Sequence, residues 1–292
     1  MWFNQIKTAF LLGSLSGLLM LIGGLLGGMG GVVIFFIISL VMNGLAYFFS
    51  DKMVLTMYKA KPLNESTYGW IYDIVRELTA KSDLPMPKLW LVDMPMANAF
   101  ATGRNPKHSS VAVTSGILSI LDPQELRGVL AHEISHIKNR DILISTVAAT
   151  MATAIGFLAI IMRNMAFWGA MSSNNDRRGV NPLVLLAVAI LMPIAASLIQ
   201  LAISRSREYL ADESGAEVSH DPLALASALE KLEMRAQQTH FADNDTAHTT
   251  TAHLFIVKPF SGKGLSSLFS THPPMRERVA RLRALYEKMM HL

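Results

Sequence analysis

The sequence contains no cysteine, and this absence limits both its covalent structure and its metal chemistry. Disulfide bonds and thiolate ligands are excluded, so any bound metal must be held by nitrogen and oxygen donors. The lack of cysteine also fits a chain that works in a reducing compartment. Phosphate-binding motifs of the GxGxxG and P-loop types are missing too, so any ATP-driven work would need a partner.

Charge is also scarce, because only 16% of the residues are charged and three long stretches have no charged side chain at all. These stretches cover residues 8–50, 142–162 and 179–204. A helix needs about 20 apolar residues to cross a hydrocarbon core of about 30 Å. The first stretch is long enough for two passes around its glycine-rich region, Gly23–Gly31. The sequence therefore predicts about four transmembrane helices, arranged as two hairpins.

Basic residues lie at both ends of both apolar hairpins and indicate their orientation. These residues are Lys7, Lys52, Lys59, Lys61, Lys138, Arg140, Arg205 and Arg207. The positive-inside rule predicts a multi-pass protein whose polar regions face the cytoplasm. Arginines between the third and fourth apolar stretches weaken this bias, so the second hairpin either spans fully or forms a re-entrant or tightly packed pair.

The formal net charge of +4 is spread along the chain without interleaved aromatic residues. A nucleic-acid interface usually needs a clustered basic surface. We therefore expect the basic residues to face a lipid bilayer and expect no nucleic-acid partner.

Between the two hairpins the composition is that of a soluble fold. Periodicity predicts a helix over Tyr68–Lys81 and strands over Lys88–Asp93, Asn98–Thr102 and Ser110–Thr114. Glycine and proline predict a turn at Gly103–Pro106. A small sheet that precedes a long helix indicates an α+β domain, which the second hairpin interrupts and which resumes after it.

This pattern divides the chain into four parts. Residues 1–50 are the first transmembrane hairpin, and residues 51–141 are the first part of the soluble domain, with the sheet and the long helix. Residues 142–204 are the second transmembrane hairpin. Residues 205–292 complete the soluble domain with a helix that emerges from the membrane, a helix over Pro222–Gln238 and a basic amphipathic helix that begins near Thr271.

The long helix is predicted over Leu121–Arg140. Asp122 can cap its first turn, Pro123 suits the first helical position, and Glu125 completes a capping-box pattern. Apolar residues recur at helical spacing along one face, so the helix is expected to pack against a core.

His132 and His136 lie four residues apart on this helix, with Glu133 beside the first histidine. Two imidazoles at this spacing stack on one face and can hold one zinc ion. Glu133 is then placed to take a proton from a metal-activated water. The HExxH motif thus combines two metal ligands with a general base. The short motif is suggestive alone, and the well-capped amphipathic helix strengthens it.

A catalytic zinc commonly has three protein ligands and a water, so two histidines leave the site one ligand short. Glu208, with Asp212 one turn beyond it, can supply a direct ligand and a second carboxylate that accepts the N–H of a ligating histidine. Glu213 and Glu217 are alternatives on spacing alone. A solvated helix face, with Glu208 paired to Arg205, is a further alternative.

Several segments, taken together, resemble the HtpX family of bacterial integral-membrane zinc metallopeptidases, which is related to the CAAX prenyl proteases. The segments are His132–His136, Asn98–Arg104, Arg205–Asp212, Ala252–Val257 and Thr271–Pro274. The resemblance covers nearly the whole chain, including four hydrophobic segments in the same places.

The resemblance implies a zincin-like fold in which His132, His136 and Glu208 bind one zinc ion per chain and Glu133 is the catalytic base. It also implies a stress-response enzyme of the bacterial inner membrane with its active site facing the cytoplasm. Its expected partners are the lipid bilayer, polypeptide substrates and other membrane proteases or chaperones.

Three further residues are candidates for contact with the substrate or the transition state. His272 and Arg276 belong to a segment that the resemblance places near the active site, where either can stabilise an oxyanion. His272 can equally fix the His-Pro-Pro turn. Asn98 begins a strand whose edge can pair with an extended peptide, and it is alternatively a turn residue.

These observations favour a zinc endopeptidase that cleaves cytoplasmic segments of misfolded or damaged membrane proteins. One alternative is an intramembrane protease of the site-2 type, although the charges around the HExxH helix favour an aqueous or interfacial position. A second alternative is a membrane scaffold or chaperone in which the zinc is structural and has a fourth protein ligand.

Overall fold

The computed structural model describes residues 2–148, 205–238, 256 and 273–291. The first element, α1 (Trp2–Met57), is a hairpin of two helical arms that meet at the non-helical residues Gly27 and Gly28. The arms touch at Gly23 and Gly31, where a Cβ on Gly31 would lie 1.9 Å from the Gly23 carbonyl oxygen. A helical hairpin therefore lies where the first transmembrane hairpin was predicted, and glycine is required where its arms cross, while the crossing of a membrane by both arms stays a prediction.

Within the described residues, one helical stretch is long and apolar enough to cross a membrane, Gly27–Phe49. Thr8–Leu21 is apolar but shorter. Most of the predicted second hairpin, from residue 149 to residue 204, lies outside the described residues, so the count of four spans stays a prediction. The second arm of α1 also continues past residue 50, where the sequence predicted the first domain boundary.

The sheet has four strands in the order β1-β2-β4-β3. Their bounds are β1 Lys61–Pro62, β2 Lys88–Val92, β3 Ala99–Asn105 and β4 His108–Thr114. β2 and β4 are parallel, and the other two pairs are antiparallel. The three predicted strands are confirmed, whereas the short β1 was not predicted.

The turn was predicted to begin at Gly103, and this prediction was wrong. β3 continues to Asn105, and the turn lies at Pro106 and Lys107. Gly103 has a φ of 139° and lies at an irregularity in the pairing with β4. A Cβ at this position would lie 2.2 Å from the His108 carbonyl oxygen. Glycine therefore allows the strand to continue through a distortion instead of ending it.

Six further helices complete the described fold. They are α2 Glu65–Lys81, α3 Ser115–Leu118, α4 Pro123–Lys138, α5 Arg205–Ser219, α6 Pro222–Gln238 and α7 Met275–Met290. Residues 142–148 are also helical. The last helix begins later than predicted, at Met275, because Pro274 is extended and a proline disfavours the helical conformation in the residue before it, here Pro273.

Helix α4 lies at the centre of the soluble domain and packs against α2, α5, α6 and β3. The predicted capping box is confirmed, since the Asp122 side chain accepts from the Glu125 N–H and the Glu125 side chain accepts from the Asp122 N–H. Leu126, Val129 and Leu130 are fully buried. The capped, buried helix gives the HExxH motif a rigid base.

Candidate metal centre

His132 and His136 lie on consecutive turns of α4, and their Nε2 atoms are 3.2 Å apart. Helix α5 brings Glu208 to the same point, with carboxylate oxygens 3.8 Å from Nε2 of His132 and 3.5 Å from Nε2 of His136. Glu208 is buried, whereas Glu213 and Glu217 on the same helix are exposed. Of the three glutamates left open by the sequence, Glu208 is the one that faces the histidines.

The three donor groups suit zinc in number, chemistry and spacing. Ligands at about 2.0–2.2 Å from a tetrahedral ion lie roughly 3.3 Å from one another, close to the separations observed here. Among the described residues, these three side chains form the only group of three or more possible metal ligands. Within the described part of the chain no fourth protein ligand joins them, and three nitrogen and oxygen donors are typical of a catalytic zinc site.

A carboxylate holds the far side of each imidazole ring. Oδ1 of Asp212 lies 3.0 Å from Nδ1 of His132, and Oδ2 of Asp141 lies 3.3 Å from Nδ1 of His136. These contacts favour the tautomer that carries its proton on Nδ1 and leaves the Nε2 lone pair for the metal. Asp212 therefore has the geometry predicted from its position one turn after Glu208, while Asp141 was not predicted.

The electrostatics of His136 indicate a site that attracts positive charge. Burial lowers its pKa, but the hydrogen bond to Asp141 and the negative charge of Glu208 outweigh burial, and the pKa rises to about 9. Donors that attract a proton this strongly also attract a divalent cation, which competes for the same lone pair.

Glu133 is buried between the histidines and the sheet. Its Oε2 accepts a hydrogen bond of 2.9 Å from the main-chain N–H of Ala101 in β3. Burial raises the pKa of Glu133 above its ordinary value. A carboxylate with a raised pKa is a stronger proton acceptor, and the bond to β3 fixes its position.

Arg278 is a site residue that the sequence analysis missed. It is fully buried on α7 and donates from Nε and Nη2 to the two oxygens of Asp212, each at 2.7 Å. Burial raises the pKa of Asp212, but the charge of Arg278 outweighs it and lowers this pKa to about 2. Asp212 is therefore ionised whenever the protein is folded at neutral pH, and it remains an acceptor for His132.

A helical-spacing signal for Arg278 was present in the sequence. Residues three or four apart share a face of a helix, so Arg278 falls on the stripe of Met275 and Leu282, which packs against the core. Arg276, the arginine that the sequence analysis singled out, falls outside that stripe and is exposed. His272 lies outside the described residues.

Asn98 is buried just before β3 and contacts the protein's own main chain. Its Oδ1 accepts a 3.1 Å hydrogen bond from the N–H of Ile256. Nη1 of Arg278 donates to the carbonyl oxygen of the same residue at 3.3 Å. The Asn98 side chain therefore fixes Ile256 within the chain, and its predicted contact with a main-chain group of the substrate stays a prediction.

Gly215 sets the close approach of α5 to α4. A Cβ on Gly215 would lie 2.9 Å from the main-chain nitrogen of His132 and 3.0 Å from its Cα. Glu208 and Asp212 precede Gly215 by seven and three residues, so all three share one helix face. The absence of a side chain at Gly215 brings both carboxylates within reach of the histidines.

Comparison with known proteins gives the same result as the geometry. The family model described as Peptidase family M48 matches residues 65–286. A protease HtpX homolog of Syntrophobacter fumaroxidans is 53% identical over 287 residues, which are 97% of this chain and 99% of the relative. A protease HtpX homolog of Persephonella marina is 52% identical over 288 residues, with coverages of 98% and 99%.

Among solved structures, the crystal structure of S. mikatae Ste24p matches with a TM-score of 0.54 and 18% identity. The match covers 96% of this chain and 66% of that chain, and at this identity it shows a shared fold. The predicted resemblance to membrane metalloproteases is confirmed by the family match and by the two relatives. The chain belongs to peptidase family M48.

Proposed function

We propose that this membrane metalloprotease is a zinc-dependent endopeptidase that works at the cytoplasmic face of a bacterial inner membrane. Its proposed substrates are exposed segments of misfolded or damaged membrane proteins, and its role is quality control under stress. The observation that carries the proposal is the convergence of His132, His136 and Glu208 beside Glu133, on a domain joined to a membrane-length apolar helix.

One zinc ion per chain, held by His132, His136 and Glu208, would supply Lewis-acid chemistry that polarises a water molecule and the scissile carbonyl group. Glu133 is placed to accept a proton from a water molecule at the site and to return it to the leaving amine. Burial raises its pKa, which brings its basicity closer to that needed at neutral pH. The hydrogen bond from Ala101 keeps the carboxylate at the edge of the sheet.

Asp212 and Asp141 orient the histidines from behind. Asp141 accepts a hydrogen bond from Nδ1 of His136, and Asp212 makes a charged contact of 3.0 Å with Nδ1 of His132, so rotation of either ring would lose that contact. Arg278 neutralises Asp212, which allows two carboxylates, Asp212 and Glu208, to lie on one buried helix face without strong mutual repulsion. These three residues act through the donors and need no contact with the substrate.

Orientation towards the cytoplasm rests on the basic residues that flank the apolar hairpins. Arg276, exposed at the start of α7, and His272 are proposed to act on the substrate.

Other membrane proteases or chaperones are proposed partners because the chain has no nucleotide-binding motif. The three-donor set favours catalytic zinc over the structural zinc of a scaffold.

The test is replacement of Glu133 by Gln in purified full-length protein. We expect cleavage of an unfolded polypeptide to fall by about 10²–10⁴-fold, the usual contribution of a general base, with an unchanged zinc content. Mass spectrometry measures cleavage, and atomic absorption measures zinc.

Glu125→Gln is the matched control, because Glu125 is another buried glutamate of α4 but interacts with Ser227 and Lys231, away from the donors. It is expected to lower stability without a specific loss of turnover by the folded protein. Persistent cleavage by the Glu133 variant would contradict the proposed mechanism.

A further inference from the structure

Two connections along the chain place the metal centre next to membrane-length apolar sequence. Asp141, which contacts His136 at 3.3 Å, is the last charged residue before the uncharged stretch 142–162. Glu208 follows the uncharged stretch 179–204 by four residues, or about one helical turn. The helix that carries His136 and the helix that carries Glu208 are therefore each followed or preceded, within a few residues of the metal centre, by an uncharged apolar stretch.

A third connection runs through strand β3. The N–H of Ala101 binds Glu133, and two residues further on the N–H of Gly103 lies 3.3 Å from Oγ1 of Thr146. Oγ1 of Thr102 is 3.1 Å from the same hydroxyl group. Two strand residues span about 7 Å, and Thr146 lies about one helical turn inside the uncharged stretch. Glu133 is therefore roughly 10 Å from Thr146, a buried residue of the helical segment 142–148 that leads into the uncharged stretch.

The second arm of α1 fixes the same strand. The Arg104 guanidinium lies over the Phe48 ring, 5.4 Å from its centre, and Phe48 is the last residue but one of the membrane-length stretch. Beyond that stretch, Leu55 and Tyr58 are buried against Phe100 of β3. Because this packing is apolar and extensive, the sheet is held at the end of the apolar helix and is not tethered to it by a free linker.

We infer that this enzyme selects peptide bonds by their distance from the bilayer, and that it hydrolyses bonds within about 10 Å of the membrane surface. An extended chain covers this distance in about three residues. The inference rests on the proposed peptidase function and narrows its substrates to the segments that directly follow a membrane span. Water adds across the C–N bond, and the products are a carboxylate and an amine.

The experiment uses full-length enzyme in proteoliposomes with single-span substrates that differ only in spacer. One substrate carries a cleavable unstructured segment directly after the span. A second has about ten prolines inserted, which hold the segment about 31 Å away because polyproline is stiff. We expect the near segment to be cleaved at least about tenfold faster, with cleavage sites clustered in its first few residues.

Two controls separate this inference from the proposed function. A flexible glycine-serine spacer of the same length should restore much of the rate, because it lets the segment return to the surface. The same cleavable segment, supplied as a soluble peptide without the membrane span, should be cleaved at the same rate with and without the inserted prolines. Equal rates for near and stiffly displaced segments would overturn the distance selection while leaving the peptidase function intact. No difference from the Glu133→Gln variant on any substrate would overturn both.

Discussion

The two sides of helix α4 use the same packing principle for different purposes. Towards α5, Gly215 lets the helices approach until its absent Cβ would lie 2.9 Å from the His132 nitrogen. Towards α6, Gly128 does the same, and its absent Cβ would lie 2.8 Å from the Leu225 nitrogen. The α6 side buries leucine and alanine near this contact, whereas the α5 side buries Glu208, Asp212 and the histidines. A catalytic centre can thus be built from an ordinary close helix contact by changing the side chains around one glycine.

Asp212→Asn is expected to cause the largest change on the α5 side of helix α4. The change weakens the acceptor for His132 and leaves Arg278 buried without its anionic partner. We expect zinc affinity to fall by about 10–100-fold and the free energy of unfolding to fall by about 3–5 kcal/mol. Competition with a chelator and denaturation in detergent measure the two quantities.

Asp221→Asn is the matched control on the α6 side. Asp221 accepts from the Ala224 N–H at the start of α6, and asparagine caps a helix about equally well. Zinc affinity should stay unchanged in this variant. Equal zinc affinities for the Asp212 and Asp221 variants would show that Asp212 has no part in holding the metal.

A smaller effect is expected from adding one methyl group at each glycine. Gly215→Ala and Gly128→Ala should each lower the free energy of unfolding by about 1–3 kcal/mol, because both new Cβ atoms meet main chain. Only Gly215→Ala moves Glu208 relative to the histidines, so it alone should lower zinc affinity, by several-fold. Similar zinc affinities in the two variants would contradict the proposed difference between the α5 side and the α6 side of helix α4.

The smallest effect concerns a third contact of α4, where Arg127 donates to Glu77 of α2. Hydrogen bonds from Arg127 and then Lys81 lower the pKa of Glu77 from 4.5 to about 2. A lowered pKa stabilises the fold above the unfolded value, and this stabilisation is lost as the pH falls from about 4.5 to about 2.

Glu77→Gln should therefore lower the melting temperature slightly near pH 6, and the difference from the wild type should vanish near pH 2. Both proteins are compared without zinc, so that loss of the metal in acid does not contribute. A difference that stays constant over this range would show that the charge of Glu77 does not stabilise the α2–α4 contact.

Local sequence patterns predicted much of the centre because their physical causes lie within one helix. The Asp122 cap, the buried apolar face of α4 and the stacking of His132 above His136 all follow from the helical repeat. The spacing of Glu208 and Asp212 likewise put two carboxylates on one face. These relations need no knowledge of the neighbouring elements.

Other residues depended on contacts between distant parts of the chain. Spacing alone did not separate Glu208 from Glu213 and Glu217, because the choice depends on which face of α5 meets α4. Asp141 was missed because its role depends on the turn after α4, where Arg140 has a φ of 58°. β3 was predicted too short because a glycine that usually indicates a turn instead allows a bulge.

The sequence by itself determined an HExxH helix, the nitrogen and oxygen chemistry of its donors and an apolar hairpin, because capping, helical repeat and hydrophobicity act locally. Only the tertiary structure decided that Arg278 neutralises Asp212, that Ala101 holds Glu133 and that Gly215 brings α5 against the histidines. The physical reason is that burial and close approach arise between elements, and no local pattern records which faces meet.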